Sequence, residues 1–410
     1  MAQTVVQISG HIIDSLILPK VLDLIVSLGA EFEILDIQIG HRRSDRSHAR
    51  IKVEASTPDL LESVLAKIRE HGALPEQVEE ESLQLEAAPL DGVFPERFYA
   101  TTNLETWVRL EQQWIPVESI EMDCGIRIAA SKAQCVPMHR VKSGDLVVVG
   151  QRGVKVVPLE RQQPGAPFEF MTSAVSTEQP KGLLIREIAE LMQRVRRENG
   201  RILVVAGPGL VHTGASKYLA ELIENGYVQV LFAGNGLAVH DMESDLYGTS
   251  LGVYVDQKIR AAEGHEHHLW TINRIRKAGG IRQAVEQGLI RKGIFYSCVK
   301  NGVEFVLAGS IRDDGPLPDV ITDTLQAQDI MREKARGVSF ALMIATTLHA
   351  IATGNLLPAS VKTVCVDINP AVVTKLTDRG TFQALGLVTD VEPFLRELCS
   401  YLDLNVVCSS

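Results

Sequence analysis

From Lys181 to the end of the chain, six short apolar runs rich in β-branched residues (202–206, 228–233, 305–308, 340–345, 361–366 and 385–389) are separated by stretches of helical period. No run sustains an alternation of apolar and polar residues, so a strand made from it hides both faces. Strands of that kind joined through helices build a parallel sheet covered on either side. Residues 181–410 are therefore expected to form a Rossmann-like, doubly wound α/β domain.

The first 90 residues follow a different rule. Strands are expected over 5–9, 32–39, 49–54 and 82–86, with helices over 15–28 and from Pro58 onward, the β-α-β-β-α-β order of a ferredoxin-like α+β unit. The second helix has the fullest set of signals. Ser56-Thr57 can cap it, Pro58 suits its first position, Leu60, Leu61, Val64, Leu65 and Ile68 form one stripe, and Gly72 can end it. Residues 91–180 change character again, to short strands such as 106–110, 125–129 and 146–149 followed by a Pro-rich linker over 158–180. The expected domains are thus 1–90, a β-rich extension and linker over 91–180, and 181–410.

Composition narrows the function. A chain of 410 residues with 22% charged residues and a formal net charge of -10 shows no basic footprint for nucleic acid or an anionic membrane, which leaves a small molecule as the expected partner. The N-terminus carries no basic segment ahead of an apolar stretch, and no window reaches the length of a spanning helix, so a cytoplasmic protein is expected. Cys124, Cys135, Cys298, Cys365, Cys399 and Cys408 include no C-x-x-C pair, so reduced thiols and no structural metal are expected. Cys298 and Cys365 lie in apolar, strand-like runs and read as small buried hydrophobes.

In an open parallel sheet, ligands sit beyond the carboxyl ends of the strands. Those positions here are small, polar and glycine-dense: GPGLVHTGA from Gly207, GNGLAVHD from Gly234, GSIRDDGPLPD from Gly309, TTLHA from Thr346, then Asp367-Ile368-Asn369-Pro370 and Asp390. Gly207 and Gly209 can let a pyrophosphate approach the backbone at a helix start, or can simply make a tight turn. Asp367 can accept hydrogen bonds from ribose hydroxyls and repel a 2′-phosphate, favouring NAD over NADP, while Asn369 and Pro370 also read as a helix cap and first turn. Arg312 beside Asp313 and Asp314 can grip a carboxylate while an acid receives an ammonium group.

Histidines gather in the same half. His212, His240 and His349 each follow a strand end and are candidate proton carriers or cofactor contacts. The segment GHEHHL, with His265, His267 and His268, lacks the H-E-x-x-H spacing of a zinc site and reads as a solvated or capping segment, so no metal is expected. Lys300 and Lys362 would serve as amine catalysts only if desolvated.

The strings HIIDSLILPKVLD, EMDCGIRI, VHTGA, GNGLAVHD, LYGTSLGV, AGSIRDDGPLPDVITD and VCVDINPAVVTKLTDRG, taken together, resemble the archaeal and cyanobacterial type of ornithine cyclodeaminase, over nearly the whole chain. That family's N-terminal region is shared with lysine-ketoglutarate reductase/saccharopine dehydrogenase. The resemblance implies a deoxyhypusine-synthase-like NAD-binding domain, tightly bound NAD, and conversion of L-ornithine to L-proline and ammonia by internal hydride transfer. It implies cofactor contacts at Asn235, Gly236, Asp313, Thr347, Leu348, His349, Asp367, Asp390 and Val391. The expected catalytic groups are Asp314 as an ammonium-binding acid/base, Arg312 as a carboxylate clamp and His212 as a proton carrier, in an enzyme expected to be a homo-oligomer. On the residues alone two other readings stay open: an NAD-dependent amino-acid dehydrogenase or reductase near lysine catabolism, and a non-catalytic module that senses NAD or an amino acid.

Overall fold

Alternating burial builds the N-terminal sheet. In a computed structural model, which describes residues 2–13, 17–41, 45–69, 71–76, 83–157, 181–255, 259, 261, 264–313, 315–378 and 384–404, the strand Ser47–Ala55 buries every second side chain. Four antiparallel strands, β1 (Ala2–Gly10), β2 (Glu31–Gln38), β3 (Ser47–Ala55) and β4 (Leu74–Pro75), run in the order β2-β3-β1-β4, which is the ferredoxin-like arrangement. The helices Ile17–Ser27 and Pro58–Arg69 close the core formed by Val6, Ile8, Val21, Ile25, Ile51, Val53, Val64 and Ile68. Thr57 caps the second helix as expected, its Oγ1 accepting from the Leu60 N–H at 3.2 Å, and Gly72 leaves it at φ +82°.

One element of the expected order is corrected. The strand placed over 82–86 is β5 (Leu85–Ala87), which pairs with Leu146–Val148 rather than with β1. The ferredoxin-like sheet is closed instead by the two residues of β4, because Gly72 turns the chain straight back along β1, with Val6 opposite Pro75.

The next sheet holds β5, β6 (Thr106–Leu110), β7 (Gln113–Glu118), β8 (Gly125–Ala129), β9 (Lys132–Val136), β10 (Leu146–Val148) and β11 (Val154–Val156), in the order β11-β6-β7-β9-β8-β10-β5. Residues group into two compact units, Met1–Thr172 with Leu357–Ser360, and Ser173–Leu356 with Val361–Ser410, so the expected boundary near residue 90 falls inside the first unit. The expected linker over 158–180 lies outside the described residues.

The second unit contains all six expected strands: β12 (Arg201–Ala206), β13 (Val230–Gly234), β16 (Glu304–Ala308), β18 (Val338–Ile344), β19 (Lys362–Asp367) and β20 (Ala384–Val388). A seventh, β17 (Val320–Ile321), was too short to signal itself, and the hairpin of β14 (Thr249–Ser250) and β15 (Val253–Tyr254) stands apart. The sheet is parallel throughout, in the order β17-β16-β13-β12-β18-β19-β20. The chain moves outward from β12 to β16, returns to β18 beside β12, and moves outward again. That reversal is the topological switch of a Rossmann fold, the place where such sheets bind ligands.

Candidate functional site

Because every strand of the second sheet points the same way, the six glycine-rich and polar segments end on one rim. At the switch the backbones of β12 and β18 nearly touch. The Gly207 N–H donates to the Ile344 carbonyl at 2.9 Å, Ala345 takes a positive φ of 49°, and a Cβ on Gly207 would lie 1.9 Å from the Ala345 carbonyl oxygen. Gly207 is therefore required by the crossing itself, whatever a ligand asks of it. A Cβ on Gly209 would lie 3.2 Å from the Ala345 Cβ, a tighter approach than side chains usually make. Gly234 has a different neighbour: the His349 ring lies against it, and any Cβ there would sit 2.8 Å from His349 Cε1.

The helix Asn235–Tyr247 starts directly from β13, with Gly234 as an N-cap that offers no side-chain acceptor. Its first-turn N–H groups are thus left for an anion, which is the usual pyrophosphate arrangement. Asn235 is buried and its Oδ1 accepts from the Leu317 N–H at 3.1 Å, pinning the loop that follows β16. In that loop Asp313 accepts from the Ser310 N–H at 2.9 Å, and the exposed Arg312 donates its backbone N–H to Ser310 Oγ at 3.2 Å. Asp313 also acts electrostatically on His349, but burial dominates and holds that imidazole below its ordinary value. Asp314 lies outside the described residues.

Asp367 is 8% exposed at the end of β19. Its Oδ1 accepts from the Asn369 N–H at 2.8 Å, while its second oxygen takes no hydrogen bond from the described residues. Asn369 Oδ1 accepts from the Ala371 N–H at 3.0 Å, so the capping expectation holds and leaves half of Asp367 for a ligand. Asp390 caps the helix Val391–Tyr401, accepting from the Glu392 N–H at 3.4 Å, and Val391 turns its side chain into the core. Val391 thus offers a ligand main-chain atoms alone.

Thr347 and Leu348 are exposed. With Ile368 at the end of neighbouring β19, and Ile311 farther along the rim after β16, Leu348 presents large apolar surface to solvent, which suits the faces of flat rings. Glycines, an uncapped helix start, a half-used buried carboxylate and apolar walls together fit a dinucleotide.

Behind the Gly-Pro-Gly turn lies a polar network that the sequence did not reveal. His212 Nδ1 is 2.7 Å from Ser250 Oγ, and its ring centroid is 5.1 Å from that of His240. His240 Nδ1 is 2.8 Å from Glu243 Oε2, and Glu243 is completely buried. Glu243 also accepts from Thr249 Oγ1 at 2.8 Å and from the Leu251 and Gly252 N–H groups at 3.2 and 3.0 Å. Burial raises the Glu243 carboxyl, but bonds from His240, Gly252 and Thr249 outweigh it and leave the group below its ordinary value. Burial and then the neighbouring His240 push His212 down to about 4. The signal available beforehand was the i, i+3 spacing of His240 and Glu243, which puts both on one helix face.

Several expectations change here. His267 is not solvated: it is buried, 2.8 Å from Thr249 Oγ1 and stacked on Tyr247 at 4.8 Å. Cys298 is buried as expected, but on the helix Ile294–Asn301 rather than a strand. Lys362 begins β19, at the opposite end of the sheet from the rim. Asp241, wholly buried, accepts from the Phe295 N–H at 3.0 Å; burial pushes it up to about 7 despite that bond. In the first unit, Cys124, Cys135 and Glu121 bring ligand atoms within 4.8 Å of one another, a proximity that sequence spacing concealed because it arises across a hairpin.

The chain matches three family descriptions in series. They are the LOR/SDH bifunctional enzyme conserved region over residues 3–104, and the first and Rossmann-fold C-terminal regions of ArgZ-like arginine dihydrolases over 105–185 and 186–398. It is 53% identical over 393 residues to the ornithine cyclodeaminase of Methanothermobacter thermautotrophicus, covering 95% of each chain. It is 41% identical to AgrE, the bifunctional arginine dihydrolase/ornithine cyclodeaminase of Nostoc sp., covering 97% of this chain and 58% of AgrE. The ternary complex of AgrE with ornithine and NAD+ superposes with a TM-score of 0.54 at 40% identity, covering 98% of this chain and 57% of that one. The apo structure of the cyanobacterial arginine dihydrolase ArgZ superposes with a TM-score of 0.86 at 39% identity, again over 98% of this chain and 58% of the other. The chain therefore spans somewhat more than half the length of its cyanobacterial relatives.

Proposed function

We propose, from the premise that this chain belongs to the ornithine cyclodeaminase family of archaea and cyanobacteria, that it converts L-ornithine to L-proline and ammonia with NAD at the rim of the second sheet. The observation that carries this reading is the convergence of β12, β13, β16, β18, β19 and β20 on one edge, with the uncapped helix start at Asn235 and the half-used Asp367 carboxylate beside the switch. Bound NAD would supply a nicotinamide that accepts hydrogen from Cα of ornithine and gives it back.

The residues proposed to hold NAD are Gly207, Gly209, Asn235, Gly236, Asp313, Thr347, Leu348, His349 and Asp367, with main-chain atoms of Asp390 and Val391. Asp367 carries the preference for NAD, since a 2′-phosphate would meet its carboxylate. Arg312 is proposed to grip the substrate carboxylate and Asp314 to receive an ammonium group, while one imidazole of the His212–His240 pair moves protons. Holding the δ-amine beside Cα makes ring closure intramolecular, so no protein nucleophile is needed.

The test uses ornithine carrying deuterium at Cα. Retention of the label in proline, with no accumulating NADH, is the expected result. Loss of label to solvent, or NADH released with an oxo acid, replaces cyclodeamination by net dehydrogenation.

A homo-oligomer is part of the same proposal. Phe32, Ile34 and Ile37 on the edge strand β2 lie opposite the buried Val53, Ile51 and Ala49, so they share the helix-covered face, yet all three are exposed. An apolar sheet edge of this kind suits a second copy of the chain. Ile34→Lys should weaken association at least tenfold in sedimentation; an unchanged profile removes this edge from the proposal. Among the described residues no helix is long and apolar enough to cross a membrane. A cytoplasmic setting is proposed on the five buried free thiols among the described residues.

A further inference from the structure

The proposed reaction has a proton balance that asks for a particular device. Ornithine enters with both amines protonated, and each must give up a proton before Cα is oxidised and before the ring closes. Yet proline and ammonium leave with no net proton lost to water. A shielded group that takes one of these protons and returns it to the departing amine is therefore part of the device, provided its opposite charge state is stabilised.

We infer that His240 is the acid–base catalyst of this site and that Glu243 is the positioning residue that fixes its tautomer and balances its charge. The inference rests on the functional reading above and deepens it. His240 is about 9% exposed and lies roughly 7–8 Å along the helix from Asn235, facing the short helix Gly209–His212 behind the Gly-Pro-Gly turn. Thr249 Oγ1 and two backbone N–H groups donate to Glu243, and with His240 Nδ1 they occupy both of its oxygens. The carboxylate is thus ionised, and His240 must present Nδ1–H to it. That leaves Nε2 with its lone pair and without a hydrogen-bond partner among the described residues.

The proton order extends further. Thr249 has one hydroxyl proton and gives it to Glu243, so it must accept from His267, which then carries its proton on Nδ1. His267 is held in turn by stacking on Tyr247 and by the Thr271 hydroxyl on its carbonyl. The network has one consistent set of proton positions, which is what a preorganised base requires.

His212 is less suited to the part. Its Nδ1 is engaged with Ser250, and beside His240 it stays neutral, so it helps to enclose the carrier rather than hold a charge. The titratable groups facing His240 are Glu243 on its own helix, His212 across from it and, through Thr249, His267; Asp241 points away, toward the helix that begins at Ile294. In the proposed step Nε2 takes a proton from a substrate ammonium, the imidazolium is balanced by Glu243, and the proton returns to the departing amine.

The test compares the full-length wild type with His240→Ala, His240→Asn and Glu243→Gln, reading proline formation against pH, NAD affinity by fluorescence, and thermal midpoint. His240→Asn keeps a donor toward Glu243 while removing the basic nitrogen, so it separates folding from chemistry. Both His240 variants should lose about 10²–10⁴ in kcat with NAD affinity within threefold. Added imidazole should restore part of the activity of His240→Ala. Glu243→Gln should lose less and move the acid limb of the kcat profile to lower pH, because the imidazolium loses its counter-charge. A His240→Asn protein that keeps more than a tenth of wild-type kcat overturns the inference. So does a loss that tracks NAD affinity or melting with no rescue and no displaced limb. A wild type that makes no proline overturns the functional reading itself, which is a different result from an active wild type indifferent to His240.

Discussion

The two units use sheets that differ in how they spend their faces. In the first, β3 buries alternate residues, and its neighbour β2 leaves Phe32, Ile34 and Ile37 exposed at an edge that the two helices do not fully cover. In the second, β12, β18 and β19 are buried along almost their whole length. A sheet covered on both faces has no side on which to place polar chemistry, so reactive groups are displaced to the strand ends. A one-sided sheet keeps a free face and edge, and the proposed homo-oligomer contact is placed there.

Substitutions can break this contrast or sharpen it. The largest effect is expected from Gly207→Ala, which forces a Cβ onto the Ala345 carbonyl and should cost about 3 kcal/mol or more, read as a lowered calorimetric midpoint with NAD binding lost. If the variant is tolerated, the close crossing of β12 and β18 does not define the rim. Next comes Ile51→Ala in the core of the first unit, expected to cost about 2–4 kcal/mol while the second unit still binds NAD. Equal loss of NAD binding would abolish the division of labour.

A smaller, pH-dependent effect is expected at Asp241. Its folded carboxyl is raised from 3.8 to about 7, so the stability it contributes is present below pH 4 and is lost as pH rises through 7. Asp241→Asn should therefore be more stable than wild type at pH 8, with the difference vanishing near pH 4. Urea unfolding at the two pH values checks it, and a gap that does not change with pH contradicts a raised carboxyl. The smallest effect belongs to Asp390→Ala, about 1 kcal/mol of lost capping with NAD affinity unchanged within threefold. A larger loss of affinity would return the Asp390 side chain to the cofactor site.

Legibility in the sequence followed the same divide. All six buried strands were found within a few residues, because long apolar runs between helices have few other uses, and β17 was missed because two residues carry no period. The closing strand of the first sheet was misplaced to 82–86: Leu85 and Glu86 have strand character, and only pairing decides which sheet receives them. At the rim, Asp367 and Asn369 were readable from their position after a strand. Glu243, Thr249, Ser250 and His267 were not, since each is ordinary by type and gains meaning only through its neighbours.

The sequence by itself determined the order of elements, the parallel sheet and the rim on which its polar segments end, because period and burial are local properties of a run of residues. Tertiary structure alone decided that β4 rather than β5 closes the first sheet, that Gly207 answers to Ala345, and that a buried carboxylate stands behind His240. Those facts depend on atoms far apart along the chain being brought within hydrogen-bonding or van der Waals distance, and no local pattern encodes such a distance.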